Sequence, residues 1–165
     1  MTPDRTRADL VEIHLLEVPI PLWSRSQQQT DELLREFALA AAAGSETHHL
    51  PARLTELIES LNAEFGGVST EQEEQLFAAA HEGLPVIKDL EFAMPSGVGP
   101  ACVILGDMLD EADEYCRQGQ HLLTLAASDD VVQFRRWYLS QFVRQLAGDA
   151  PQKWDDYDGY WPTAT

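Results

Sequence analysis

From Leu10 to Ile20 apolar and polar side chains alternate. Val11, Ile13 and Leu15 fall on one face, Glu12, His14 and Leu16 on the other. A period of two is that of a strand, because successive Cβ atoms point to opposite sides of the backbone. Pro19 and Pro21 end the run, since proline brings no N–H to a ladder. From about Leu22 to Ala43 the period becomes helical. Trp23, Thr30, Leu33, Leu34, Phe37, Ala38 and Ala41 form one stripe, and Arg25, Glu32, Arg35 and Glu36 lie elsewhere. Gly44 is a natural stop.

Pro51 opens a second helix at its first turn, with Leu54, Leu57, Ile58, Leu61 and Phe65 on its apolar face. Ser69-Thr70-Glu71-Gln72 fits a reciprocal capping box and starts a third, which carries Leu76, Phe77 and Ala80 to Gly83. Pro85 to Met94 alternates again, Leu90, Phe92 and Met94 against Asp89, Glu91 and Ala93, so one face of this strand is wet. A turn from Pro95 to Pro100 leads into a fourth helix through Val103, Met108, Leu109, Ala112, Tyr115 and Cys116 to Gly119. His121 to Ala126 is short and mostly apolar and reads as a third strand. Ser128 caps a fifth helix, with Asp129 and Asp130 set against its dipole, and Gly148 ends it.

Strand, three helices, strand, helix, strand, helix predicts an α+β fold in two layers, a small three-stranded sheet with about five helices. If the second and third strands are neighbours, the helix between them forms a right-handed parallel crossover. Residues 1–9 read as a flexible N-terminus, 10–148 as a single domain and 149–165 as an acidic-aromatic C-terminal tail. A chain of 165 residues, 44% of them hydrophobic, has enough apolar surface for a core without a metal or disulfide staple.

Charge narrows the function classes. Acidic residues number 28 and basic ones 11, a formal net charge of -17. Such a surface repels phosphate backbones and anionic headgroups, so nucleic acid and membrane are not expected as partners. The first nine residues lack the apolar core of a signal peptide, and no stretch approaches a bilayer span. Cys102 and Cys116 lie too far apart along one helix to bridge, and reduced thiols fit a cytoplasmic protein.

No catalytic motif stands out, and no cofactor is expected. Ser96-Gly97-Val98-Gly99-Pro100 lacks the third glycine of a dinucleotide fingerprint and the Lys-Ser/Thr of a nucleotide loop. His48 and His49 have no Cys or His at chelating spacing. Asp107, Glu111 and Glu114 share a helix face at i, i+4 and i+7, which makes them weak metal candidates, more simply read as a solvated run. His14 and His121 approach each other only if their strands pair. With the 96–100 turn they carry the alternative reading, a small-molecule-binding or hydrolytic enzyme.

Two features are less ordinary. In the fifth helix Arg135 points into the stripe of Val132, Leu139, Phe142, Val143 and Leu146, where it must snorkel outward or be paired, and the acidic fourth helix can supply a partner. Trp137 points the other way, with Gln133, Gln141 and Arg144. The tail then brings Trp154, Tyr157, Tyr160 and Trp161 among aspartates. These five aromatics are either a protein-binding surface, for which tryptophan and tyrosine are suited, or a tail folded back over Trp137 or the open face of the sheet.

Several segments taken together carry a resemblance: Pro21-Leu22-Trp23 before Asp31-Glu32-Leu33-Leu34-Arg35-Glu36-Phe37, Leu50-Pro51-Ala52-Arg53-Leu54, Asp110-Glu111-Ala112-Asp113-Glu114-Tyr115-Cys116, and Phe134-Arg135-Arg136-Trp137-Tyr138-Leu139 with Phe142-Val143-Arg144-Gln145. From about residue 10 to 154 the chain resembles a family of small uncharacterised bacterial proteins associated with partner-switching sigma-factor regulators, that is, anti-sigma kinases, their antagonists and serine phosphatases. The kinase's ATP-binding motifs are missing from this sequence. The resemblance implies a non-enzymatic regulatory protein in bacterial signalling or transcription, with a protein partner or a second copy of itself.

Overall fold

The computed structural model describes residues 10–42, 53, 55–60, 70–117 and 127–162. It is a mixed α+β structure. Strand β1 (Leu10–Pro19) pairs antiparallel with β2 (Val86–Pro95), Leu10 opposite Pro95 and Pro19 opposite Val86. Among the described residues the sheet has these two strands and not the three expected. The expected third strand, 121–126, lies outside the described residues, as do the Ser69 capping box and the parallel crossover that a third strand would need. The count of three rested on the run at 121–126, which is short and mostly apolar and has no periodicity to assign it to a strand.

Both strands keep the faces that alternation predicts. Ile13, Leu15, Leu90, Phe92 and Met94 are buried, and Glu12, Asp89, Glu91 and Ala93 are exposed. The rhythm breaks at Glu17, whose φ of 52° lies in the left-handed region. The backbone turns over there, so Val18 returns to the buried face although the register is unchanged, with Leu16 opposite Asp89 and Val18 opposite Ile87.

Four long helices are described: α1 (Ile20–Ala42), α2 (Thr70–Glu82), α3 (Val98–Arg117) and α4 (Asp129–Leu146). Helix α1 begins directly after β1, with Pro21 in its first turn, where a missing N–H costs nothing. The main core joins the sheet to α1, α2 and α4 through Trp23, Leu76, Phe92, Phe134 and Phe142, the Phe92 and Phe142 rings meeting edge to face at 5.0 Å. A second cluster holds Leu33 of α1 against Met108, Leu109 and Ala112 of α3.

Helix α4 departs from its expected amphipathic pattern. Arg135 and Phe142 of the predicted stripe are buried, but so are Phe134, Trp137, Ser140 and Gln141. Helix α4 is therefore covered on two sides. Ser128 takes the N-cap position without capping through its side chain, and its hydroxyl donates instead to Asp130 at 2.5 Å. Asp130 also accepts from Arg25 of α1, and these two donors hold its carboxyl below the usual carboxylate range. At the far end Gly148, at φ 99°, turns the chain back. The Gly148 amide donates to the Gln145 carbonyl and the Asp149 amide to that of Arg144, the paired bonds of a Schellman stop. That turn sends the tail over α4.

Candidate functional site

The tail accounts for the unexpected burial of α4. Trp137 is fully buried, and its indole Nε1–H donates to the Gln152 carbonyl at 2.8 Å. Trp154, in a short 3-10 turn (Trp154–Asp156), lies edge-on to Trp137 and Phe134, each at 5.9 Å. Tyr157 stacks on Trp154, and its hydroxyl donates to the Tyr160 carbonyl. Arg144 sits 4.2 Å from the Tyr160 ring centre and bonds Asp158. Trp161 reaches α3, where it covers Gly106 and donates to Asp107 at 2.9 Å. Of the two arrangements open from sequence, residues 150–162 adopt the folded-back one. Trp137, expected on a polar face, is enclosed. Tyr160, at 40% exposed, is the one exposed member of the set, while Trp154, Tyr157 and Trp161 are half-buried.

The edges of the sheet are treated unequally. The Gln145 side chain accepts from the His14 amide and donates to the His14 carbonyl, both at 2.8 Å. It mimics a neighbouring strand. Gln145 also donates to Gln141, whose Oε1 accepts from the Gln152 amide, so the β1 edge, α4 and the tail share one network. Because His14 directs both backbone groups outward, the pair His14/Glu91 is of the non-hydrogen-bonded kind, and so are Glu12/Ala93 and Leu16/Asp89. On β2 the outward groups therefore belong to Asp89, Glu91 and Ala93. Gln72 of α2 donates to the Glu91 carbonyl at 2.7 Å. Among the described residues no hydrogen bond reaches the outward N–H and C=O of Asp89 and Ala93 or the Glu91 N–H. A groove beside this edge is lined by Glu12, Glu71, Asp89 and Glu91.

His14 stands among these carboxylates on the wet face. Its Nε2 is 2.9 Å from Glu12, and its Nδ1 is 2.9 Å from Asp89 and 3.8 Å from Glu91. The bond to Asp89, more than the desolvation that opposes it, raises the imidazole pKa. Among the described residues, Glu12, His14 and Glu91 form the one group of three whose ligand atoms lie within 4.8 Å of one another. Sequence reasoning missed this group because it spans two strands and needs the register to assemble.

The sequence-derived metal candidates do not converge. Asp107 accepts from Trp161, Glu111 faces Arg53 at 3.7 Å, and Glu114 pairs with Arg117 at 3.2 Å. His14 lies opposite Glu91, four residues along β2 from Pro95. At the rise of a strand this puts it roughly 13 Å from the end that leads into the 96–100 turn. His121 lies outside the described residues.

Arg135 finds its partners in the acidic helix. Its Nη2 donates to Asp113 at 2.6 Å and Asp110 at 2.8 Å, and Arg136 donates to Asp110 at 3.1 Å. Arg135 and Asp113 are almost wholly buried, with side chains 6% and 3% exposed. Among the described residues the Arg135 Nε and Nη1 have no partner. Arg135 also lines a largely apolar groove of about 400 Å³ between α1, α2, α3, α4 and β2. Cys102 lies in the same groove, its thiol pushed up to about 12 by burial and so inert as a nucleophile at neutral pH.

Among the described residues no helix is long and apolar enough to cross a membrane. Comparison with known protein families, with curated proteins and with solved structures finds no match for this chain.

Proposed function

We propose that this chain is a non-enzymatic regulatory protein, and that its protein partner adds an extended, basic segment to the open edge of β2. The observation that carries the reading is that, among the described residues, the outward N–H and C=O of Asp89 and Ala93 and the N–H of Glu91 are unpaired, beside Glu12 and Glu71. An open edge is a template for strand addition: main-chain bonds provide affinity, and side-chain chemistry selects the partner. Here the side chains are carboxylates, and the formal charge of -17 favours approach of a basic segment. The β1 edge does not compete, since Gln145 occupies it. The regulatory role in bacterial signalling draws on the segments that resemble sigma-factor regulators.

The test uses affinity capture from the source cell with the full chain and two variants as bait. Ala93→Pro removes an outward donor and leaves the ladder to β1 intact. The double variant Asp89→Lys, Glu91→Lys reverses the charge. Both are expected to lose the partner, Ala93→Pro without a change in melting temperature, and the amides of Asp89, Glu91 and Ala93 are expected to gain hydrogen-exchange protection in the wild-type complex. A partner retained by Ala93→Pro overturns strand addition. Self-association of the wild-type chain through the same edge would replace the basic partner with a second copy.

A further inference from the structure

We infer that Glu12, His14 and Glu91 hold a divalent transition-metal ion of the zinc class on the wet face of the sheet, His14 giving its Nε2 and each glutamate one oxygen. Strand geometry brings the three together. Glu12 and His14 are two residues apart on β1 and so share a face. Glu91 lies directly opposite His14, in the kind of antiparallel pair whose side chains stand closest. One ligand atom from each residue lies within 4.8 Å of the other two. Ligands roughly 2.0–2.2 Å from one ion are about 3–3.5 Å apart, so small rotations of the two exposed glutamates close the group on a metal.

The imidazole is held at both ends. Gln145 bonds both backbone groups of His14 at 2.8 Å, which fixes where its side chain starts. At the ring, Nδ1 donates to Asp89 at 2.9 Å. Ligating histidines carry such a carboxylate on their other nitrogen, where it sets the tautomer and the ring orientation. In the neutral ring this bond leaves the lone pair on Nε2, and the Glu12 carboxylate stands 2.9 Å from it. Two Lewis bases that close need a cation between them, a proton or a metal ion. Asp89 is a positioning residue here and not a ligand.

The donor set chooses the metal. One imidazole with two carboxylates suits zinc and its neighbours, whereas magnesium and calcium take oxygen shells and gain nothing from a ring nitrogen. A formal charge of -17 attracts any cation, so the nitrogen is what separates this group from the acidic run on α3. There Asp107, Glu111 and Glu114 face Trp161, Arg53 and Arg117 instead of one another. The site shares Glu12 and Glu91 with the groove beside β2 but does not rest on the partner reading.

Zinc titration of the full chain tests it, at about pH 8, where an imidazole is mostly free of its second proton. The ring nitrogens of His14 are followed by NMR and the affinity by calorimetry. The His14 Nε2 resonance is expected to shift and saturate with one ion, and magnesium to bind at least about tenfold more weakly. His14→Gln and Glu12→Gln should each weaken zinc at least about tenfold, and Asp89→Ala by about tenfold through the loss of ring orientation. Glu114→Gln should bind as the wild type does. A His14 ring unmoved by zinc, His14→Gln binding as tightly as the wild type, or magnesium matching zinc each overturns the proposal. Should a variant fail to fold, the wild-type ring titration and the magnesium comparison still decide. Ala93→Pro keeps all three ligands and should bind zinc whether or not it binds a partner, so the two readings fail separately.

Discussion

The side-chain amide of Gln145 pairs with both backbone groups of His14 at 2.8 Å, across 131 residues of sequence. It gives β1 the neighbour that a two-stranded sheet otherwise lacks on that side. Gln145→Leu keeps the bulk of the side chain and strands two part-buried backbone groups. A loss of about 2 kcal/mol in urea unfolding is expected, with the denaturant slope unchanged. A variant as stable as the wild type would show that water replaces the amide without cost.

The tail is a structural element by the same reasoning. Trp154→Ala opens the space over Trp137 and Phe134; because Trp154 is itself only half-buried, a loss of about 2 kcal/mol is expected, below the range of a fully buried aromatic. A chain ending at Gly148 should lose at least as much, and its Trp137 emission should shift to the red. An unchanged melting temperature for either variant would mean that the tail rests on the domain without supporting it.

Gly106 and Trp161 form a pair that can be tested by a double-mutant cycle. A Cβ at residue 106 would overlap the Trp161 ring. Gly106→Ala should therefore cost about 1–3 kcal/mol despite the better helix propensity of alanine. In a Trp161→Ala background the sign reverses, and Gly106→Ala should stabilise by up to about 1 kcal/mol. Additive effects would remove Trp161 from the face of α3.

His14 should couple stability to pH. Its folded pKa lies above the ordinary value of 6.5, chiefly through the bond to Asp89. The folded state therefore holds the proton more tightly than the unfolded chain. That contribution is complete below pH 6.5 and fades as pH rises through the higher folded pKa. His14→Gln should flatten the stability profile above pH 6.5, and an NMR titration of the His14 ring should move toward the ordinary value in Asp89→Asn. A His14 ring that titrates identically in both proteins would contradict the assignment.

Much of the fold was legible along the chain. The period of two set the faces of β1 and β2, and the longer period set α1, α2, α3 and α4. Both signals are local, because backbone geometry alone decides which side chains share a face. The position of Arg135 in an apolar stripe was also readable, and with it the choice between snorkelling outward and pairing with the acidic helix, because burying an unpaired guanidinium is so unfavourable; the structure takes the second. Phe77 shows the limit of such reading: it belongs to an apolar-looking helix face and yet is 54% exposed, edge-on to Trp23.

What sequence alone determined, then, is the course of β1, β2 and the four described helices, the inward faces of the two strands as far as Glu17, and the acidic charge of the chain. Tertiary structure decided the rest. The fate of Trp137 depended on whether residues 150–162 came back over α4, the gathering of Glu12, His14 and Glu91 depended on strand register, and the open edge of β2 depended on which helix supplied a glutamine to which strand. Each of these joins residues far apart in the chain. Local periodicity carries no information about such pairings, because they are selected by the packing of whole elements against one another.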